Sequence, residues 1–120
     1  MTKILVAEDD KFLKHVYMNK LPKEGFEVDL AINGEIALEK IESFKPDLII
    51  LDIMMPKMSG LEVLKKIKKD PKTKDIPVII TSNLDKNEDI QKGMKLGAND
   101  YLVKSDVSIN EIVDTIKKNI

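Results

Sequence analysis

The chain has 120 residues, the size of one domain with a single buried sheet, and its 20 basic and 21 acidic side chains leave a net charge of −1. Bulk electrostatics therefore give no reason to expect nucleic-acid binding, and the absence of cysteine excludes disulfides, thiolate metal sites and thiol catalysis. Apolar runs are too short to span a bilayer and Met1-Thr2-Lys3 leads into a strand rather than a signal peptide, so the expectation is a soluble cytoplasmic protein without membrane insertion.

In chain order, strand and helix patterns alternate. Ile4 to Ala7 is a short aliphatic run that reads as a first strand, closed by Glu8-Asp9-Asp10, acids favourable at the start of a helix. Leu13, Val16, Tyr17 and Leu21 then recur at helical spacing, with Pro22 ending or kinking the last turn. Phe26 to Ala31 reads as a second strand. Asn33-Gly34 turns the chain into a second helix with Ile36, Ala37, Leu38 and Ile41 toward the core. The run Leu48-Ile49-Ile50-Leu51 suits a strand buried on both faces, and Asp52 ends it.

After Gly60, Leu61, Val63, Leu64 and Ile67 give the apolar stripe of a third helix, whose Lys65, Lys66, Lys68 and Lys69 read as a solvated face. Val78 to Ser82 is a fourth strand by β-branched content. A more polar helix over Asp85 to Leu96 follows, with Ile90, Met94 and Leu96 as expected core contacts and Gly97 as its stop. Tyr101-Leu102-Val103 is the last strand. Asp106 or Ser108 can cap a final helix that buries Ile109, Ile112, Val113 and Ile116. Five βα units in succession predict a single α/β domain over residues 1–120, with a parallel sheet and helices on both faces.

In such a sheet the carboxyl ends of the strands share one edge, where ligands bind. Those ends carry Glu8 and Asp9, Asp52, Ser82, and Lys104. Crowded carboxylates call for a cation, and oxygen-only ligands suit Mg²⁺, which commonly binds through one or two carboxylates plus a phosphate. A hydroxyl and an ammonium opposite would complete a pocket for phosphoryl oxygens.

The whole chain resembles a response-regulator receiver domain of two-component signalling. The resemblance rests on Glu8-Asp9, Ala31-Ile32-Asn33-Gly34, Pro46-Asp47-Leu48 through Gly60, Ser82, Gly97-Ala98, and Tyr101 with Lys104. Glu8-Asp9, rather than Asp9-Asp10, aligns with the family's acidic pair, because the acids directly follow the buried run. Ser82 aligns rather than Thr81, lying five residues after Pro77. The resemblance implies a flavodoxin-like (βα)5 three-layer sandwich with strand order 2-1-3-4-5. It further implies that Asp52 accepts a phosphoryl group from a phosphohistidine of a sensor histidine kinase or histidine phosphotransfer protein. Mg²⁺ would be held by Asp9, by Glu8 through water, by Asp52 and by the backbone carbonyl of Met54. Lys104 and Ser82 would contact the phosphoryl group, and movement of Ser82 would let Tyr101 turn inward. The surface over residues 85–119 would meet a downstream protein effector or a second copy of the chain.

Two departures stand out: Ser105 follows the lysine where the family has proline after a cis bond, and Asn83 is larger than the usual small residue. A trans Lys104-Ser105 bond is expected, since a cis bond before a non-proline residue costs about 2.5–4 kcal/mol. Met54 and Leu84, both apolar, are expected to flank the approach of hydrolytic water and to lengthen the lifetime of the phosphorylated form. Phe12 falls outside the first helix's apolar stripe, where an exposed aromatic is either idle or an anchor for a kinase; His15 reads as solvent-facing. Competing readings are a receiver-like interaction module that ignores phosphorylation, a Mg²⁺-dependent phosphatase, and a flavin carrier. Met54 replaces the second acid such a phosphatase would need, and Glu8-Asp9-Asp10 would repel a flavin phosphate.

Overall fold

A computed structural model describes residues 1–120. The strands are β1 (Lys3–Ala7), β2 (Glu27–Ala31), β3 (Leu48–Asp52), β4 (Val78–Ser82) and β5 (Asp100–Val103), all parallel and ordered β2-β1-β3-β4-β5. Between and after them run α1 (Lys11–Lys23), α2 (Gly34–Phe44), α3 (Gly60–Lys69), α4 (Asn87–Lys95) and α5 (Ile109–Lys118). The expected flavodoxin-like order is therefore the observed one.

Because successive side chains of a strand point to opposite faces, the sheet divides the core in two. Leu5, Ala7, Ile49, Leu51, Val78 and Ile80 pack with α2, α3 and Ala98 on one face; Ile4, Val6, Leu48, Ile50 and Ile79 pack with α1 and α5 on the other. All five residues of β3 are buried, as an interior strand covered on both faces must be. Most helix starts are capped as their sequences require. Asp10 Oδ1 accepts from the Leu13 amide at 3.0 Å, Asn33 Oδ1 from Ile36 at 2.9 Å, and Ser108 with Glu111 forms a reciprocal capping box that selects Ser108 over Asp106. Pro22 sits inside the last turn of α1. No peptide bond is cis, so Lys104-Ser105 is trans.

Two expectations need correction. The fourth helix spans Asn87–Lys95 rather than Asp85 to Leu96, and Met94 is 42% exposed rather than in the core. The buried residue of α4 is Gly93, where an added Cβ would lie 2.6 Å from Ile80 Cδ1 and 3.3 Å from Tyr101 Cδ2. The helix contacts the sheet through a residue with no side chain, and Met94, one position on, turns outward. Lys68 also leaves the solvated face assigned to it. Its ammonium donates to the carbonyls of Lys74 at 3.0 Å and Ile76 at 2.9 Å, tying the loop before β4 to α3.

Candidate functional site

Strand alternation assembles the site. On β3, Asp52 continues the parity of Leu48 and Ile50; Glu8 continues that of Ile4 and Val6, and Lys104 that of Leu102. All three therefore project on the α1/α5 side of the sheet edge. There the Lys104 ammonium lies 2.8 Å from Glu8 Oε1, 3.1 Å from Glu8 Oε2 and 3.1 Å from Asp52 Oδ2. The second oxygen of Asp52 accepts the Met54 amide at 3.2 Å. Glu8 and Asp52 are 1% and 3% exposed, whereas Asp9 faces solvent at the rim.

Ser82 and Tyr101 have the opposite parity and face the α4 side. Ser82 Oγ, fully buried, accepts the Leu84 amide at 3.1 Å, and the Tyr101 hydroxyl donates to the Leu84 carbonyl at 2.7 Å. Leu84 is thus held through both its backbone N–H and its carbonyl, by the two residues expected to move together. Lys104 is tied to the same corner through its amide, which donates to the Ser82 carbonyl at 2.8 Å.

The loop after Asp52 folds back on its own strand. The Gly60 amide donates to the Ile53 carbonyl at 2.8 Å, and a Cβ on Gly60 would collide with the Asp52 carbonyl oxygen. Only glycine lets the start of α3 come this close, and that contact sets where the strand ends.

One ammonium shared by buried Glu8 and Asp52, with Asp9 beside them, leaves negative charge in excess. Burial, reinforced by the charge of Asp52 and opposed by Lys104, pushes the Glu8 carboxyl up to about 7. Burial acts to lower the Lys104 pKa, but its bonds to Glu8 and the charge of Asp52 outweigh it and the ammonium is held above its usual range. Carboxylate oxygens of Glu8, Asp9 and Asp52 all lie within 4.8 Å of one another. Glu8 Oε1 is buried and, although close to Lys104, receives no well-directed hydrogen bond. An all-oxygen cluster of three carboxylates around a single ammonium fits a hard divalent cation.

A model of the response regulator receiver domain family matches residues 4–117. The chain belongs to that family. It is 38% identical over 102 residues to the alkaline phosphatase synthesis transcriptional regulatory protein PhoP of Bacillus subtilis, a match covering 85% of this chain and 42% of PhoP. Response regulator PleD of Caulobacter vibrioides is 40% identical over 85% of this chain and 22% of its own length. The chain thus spans less than half the length of these curated relatives. Among solved structures, the Francisella response regulator 1452 receiver domain superposes with a TM-score of 0.91 at 35% identity, covering 99% of this chain and 96% of that one.

Within this receiver domain the structure brings Glu8, Asp9, Asp52 and Lys104 together at one edge and sets Ser82 and Tyr101 on the adjoining face. Met54 is 62% exposed beside the acidic cluster, Phe12 is 73% exposed on α1, and His15 faces solvent. The sequence places Tyr17 only in the buried stripe of the first helix and passes over Thr81 in favour of Ser82. The Tyr17 phenol is buried beneath the cluster, where burial and the charge of Glu8 raise its pKa. Thr81 is paired in register with Asp52, and its hydroxyl is buried without a hydrogen-bond partner. Period-two alternation along β4 was the available signal: if Ser82 faces α4, Thr81 must face α1.

No helix of the molecule is long and apolar enough to cross a membrane.

Proposed function

We propose that this receiver domain is a phosphoryl acceptor of two-component signalling in which Asp52 is the acceptor. The observation that carries the reading is the single Lys104 ammonium shared between buried Glu8 and Asp52, with the Asp9 carboxylate alongside. This is a nucleophilic carboxylate with a cation already beside it.

A carboxylate oxygen of Asp52 attacks the phosphorus of a phosphohistidine on a sensor histidine kinase or histidine phosphotransfer protein. The phosphorus–nitrogen bond breaks, the imidazole nitrogen keeps the electron pair, and an acyl phosphate forms on Asp52. Little covalent work is asked of the protein; positioning and charge neutralisation carry the rate. Lys104, held 3.1 Å from Asp52 Oδ2, needs only a short shift to pair with a phosphoryl oxygen. Asp9, Glu8 through water, Asp52 and the Met54 carbonyl are the residues that would hold Mg²⁺. When bound, the ion would neutralise the carboxylates and stabilise charge on the phosphoryl oxygens.

Ser82 links the site to the surface. Its hydroxyl hydrogen is free to donate to the phosphoryl group. Movement of Oγ toward that group gives up the Leu84 amide, loosening the residue whose carbonyl anchors Tyr101. The released ring can then turn inward, changing the surface over residues 85–119 that meets a protein effector or a second copy. Such a two-state element converts one added dianion into a change of partner.

Incubation with acetyl phosphate and Mg²⁺, read by intact mass, tests the assignment. The wild type should gain one phosphoryl mass, and neither Asp52→Asn nor the wild type in excess EDTA should gain it. A phosphorylated Asp52→Asn protein would move the acceptor elsewhere.

A further inference from the structure

The chain has no cysteine and no tryptophan, so its readily oxidised side chains are six methionine thioethers. Half of them, Met54, Met55 and Met58, stand in the loop between β3 and α3. Burial separates the three: Met55 is 9% exposed and Met58 packs against the core, whereas Met54 is 62% exposed. Met54 is also fixed against the acceptor, because its amide donates to Asp52 Oδ1 at 3.2 Å. The loop thioether closest along the chain to Asp52 is thus the one that a dissolved oxidant reaches.

We propose that Met54 is a redox-modification site, converted to the sulfoxide by a peroxide, and that the added oxygen shortens the life of the acyl phosphate on Asp52. The inference rests on Asp52 as the phosphoryl acceptor. The sulfur lone pair attacks one peroxide oxygen, the O–O bond breaks, and the departing hydroxide takes up a proton as water; sulfur loses two electrons and the peroxide gains them. A dithiol-dependent methionine sulfoxide reductase reverses the change, two thiols becoming a disulfide while the oxygen leaves as water. A thioether is a weak acceptor, so Met54 gives a water beside the acyl phosphate little to bind. The sulfoxide is polar on the same side-chain skeleton, and its oxygen accepts one hydrogen of that water and turns the water's lone pair toward phosphorus. The backbone of residue 54 is unchanged by this chemistry, and neither Asp52 nor Lys104 carries a sulfur. A peroxide therefore acts on the lifetime of the phosphoryl group rather than on the groups that receive it. The other exposed methionines stand elsewhere: Met1 precedes β1, Met18 is on α1 and Met94 is on α4.

The test treats the protein with hydrogen peroxide, removes the oxidant, phosphorylates with acetyl phosphate and Mg²⁺, removes the donor, and follows loss of the phosphoryl group by intact mass. Peptide masses should place oxygen on Met54 and spare Met55. Phosphoryl loss should be about three- to tenfold faster than in untreated protein, the worth of one neutral hydrogen bond, and reductase with a dithiol should restore the slower rate. Met54→Leu carries Met1, Met18 and Met94 through the same treatment, and its treated and untreated rates should agree. Met54→Gln, polar at similar length and inert to peroxide, should lose the group faster than Met54→Leu before any treatment. Equal rates for treated and untreated wild type, an equal acceleration in Met54→Leu, or a Met54→Gln protein no faster than Met54→Leu would overturn the inference and leave Asp52 as the acceptor. An untreated protein that gains no phosphoryl group would overturn the acceptor reading and this inference with it.

Discussion

Lys104 Nζ lies 3.1 Å from Asp52 Oδ2 although 52 residues separate them, and the same nitrogen reaches Glu8, 96 residues away. One cation thus ties the ends of β1, β3 and β5 together across carboxylates whose side chains are 1% and 4% exposed. Losing one partner of a buried ion pair costs about 3–5 kcal/mol because a charge is left uncompensated. Lys104→Met should approach that cost at pH 8 in EDTA. At pH 5.5 the cost should be smaller, since Glu8, already raised to about 7, can take a proton instead. Urea denaturation at the two pH values checks this; an equal loss at both would show that Glu8 does not relieve the site by protonation.

The direction of the Glu8 shift gives a second prediction. Its folded pKa of about 7 exceeds the ordinary 4.5, so between those values the native state binds more protons than the unfolded chain. For this group, stability of the metal-free protein is therefore greatest at low pH and declines as pH rises through about 7. A cation needs the deprotonated carboxylate, so Mg²⁺ should recover the lost stability with a proton released on binding. The rise in Tm produced by Mg²⁺ should be larger at pH 8 than at pH 5.5. A pH-independent rise would remove Glu8 from the cation's surroundings.

Gly93 yields a prediction about the output face. In an exposed helix, glycine to alanine gains about 1 kcal/mol of helix propensity. Here the new methyl would meet Ile80 Cδ1 at 2.6 Å, and overpacking of this kind costs about 1–3 kcal/mol. Gly93→Ala should therefore destabilise, by roughly 1 kcal/mol net. Added to Ile80→Val, which removes the obstructing methyl, the same change should stabilise. If Gly93→Ala stabilises in both backgrounds by chemical denaturation, α4 is not held against β4 as described.

These residues also mark what could be read from the chain. The buried runs at Ile4 to Ala7 and Leu48 to Leu51 announced interior strands, because a short aliphatic run without polar alternation has no face to offer to water and is too brief for a buried helix. The acids, hydroxyl and lysine at the strand ends then fell on one edge once the strands were parallel. Helix α4 was harder. Its contact with the sheet is a glycine, which leaves no mark in an apolar periodicity, so pattern alone draws Met94 inward. Lys68 reads as solvated by charge, but its partners are backbone carbonyls, which no residue type encodes. Thr81 has a readable direction, but whether a neighbouring polar atom meets its hydroxyl depends on side-chain packing that no residue type encodes.

The last prediction concerns the lifetime of the proposed acyl phosphate. Hydrolysis needs a water in line with the Asp52–phosphorus bond, and a polar side chain at the mouth of the site can orient it. The sequence treats Met54 and Leu84 as equal guardians of that approach; the structure separates them. Met54 is 62% exposed beside the cluster and free to be replaced. Leu84 packs against the core on the α4 side, and its peptide is held by Ser82 and Tyr101. A polar group at position 54 should therefore act on the water, whereas one at position 84 should act first on the Ser82–Tyr101 linkage. An orienting contribution of about 1.4 kcal/mol corresponds to roughly tenfold in rate. Met54→Asn should accelerate phosphate release by about that factor, and Leu84→Glu should change the rate less while shifting the Tyr101 environment. Phosphate release and Tyr101 ring resonances measured on both variants decide the matter: if Leu84→Glu is the faster of the two, the mouth of the site lies on the α4 side rather than beside Met54.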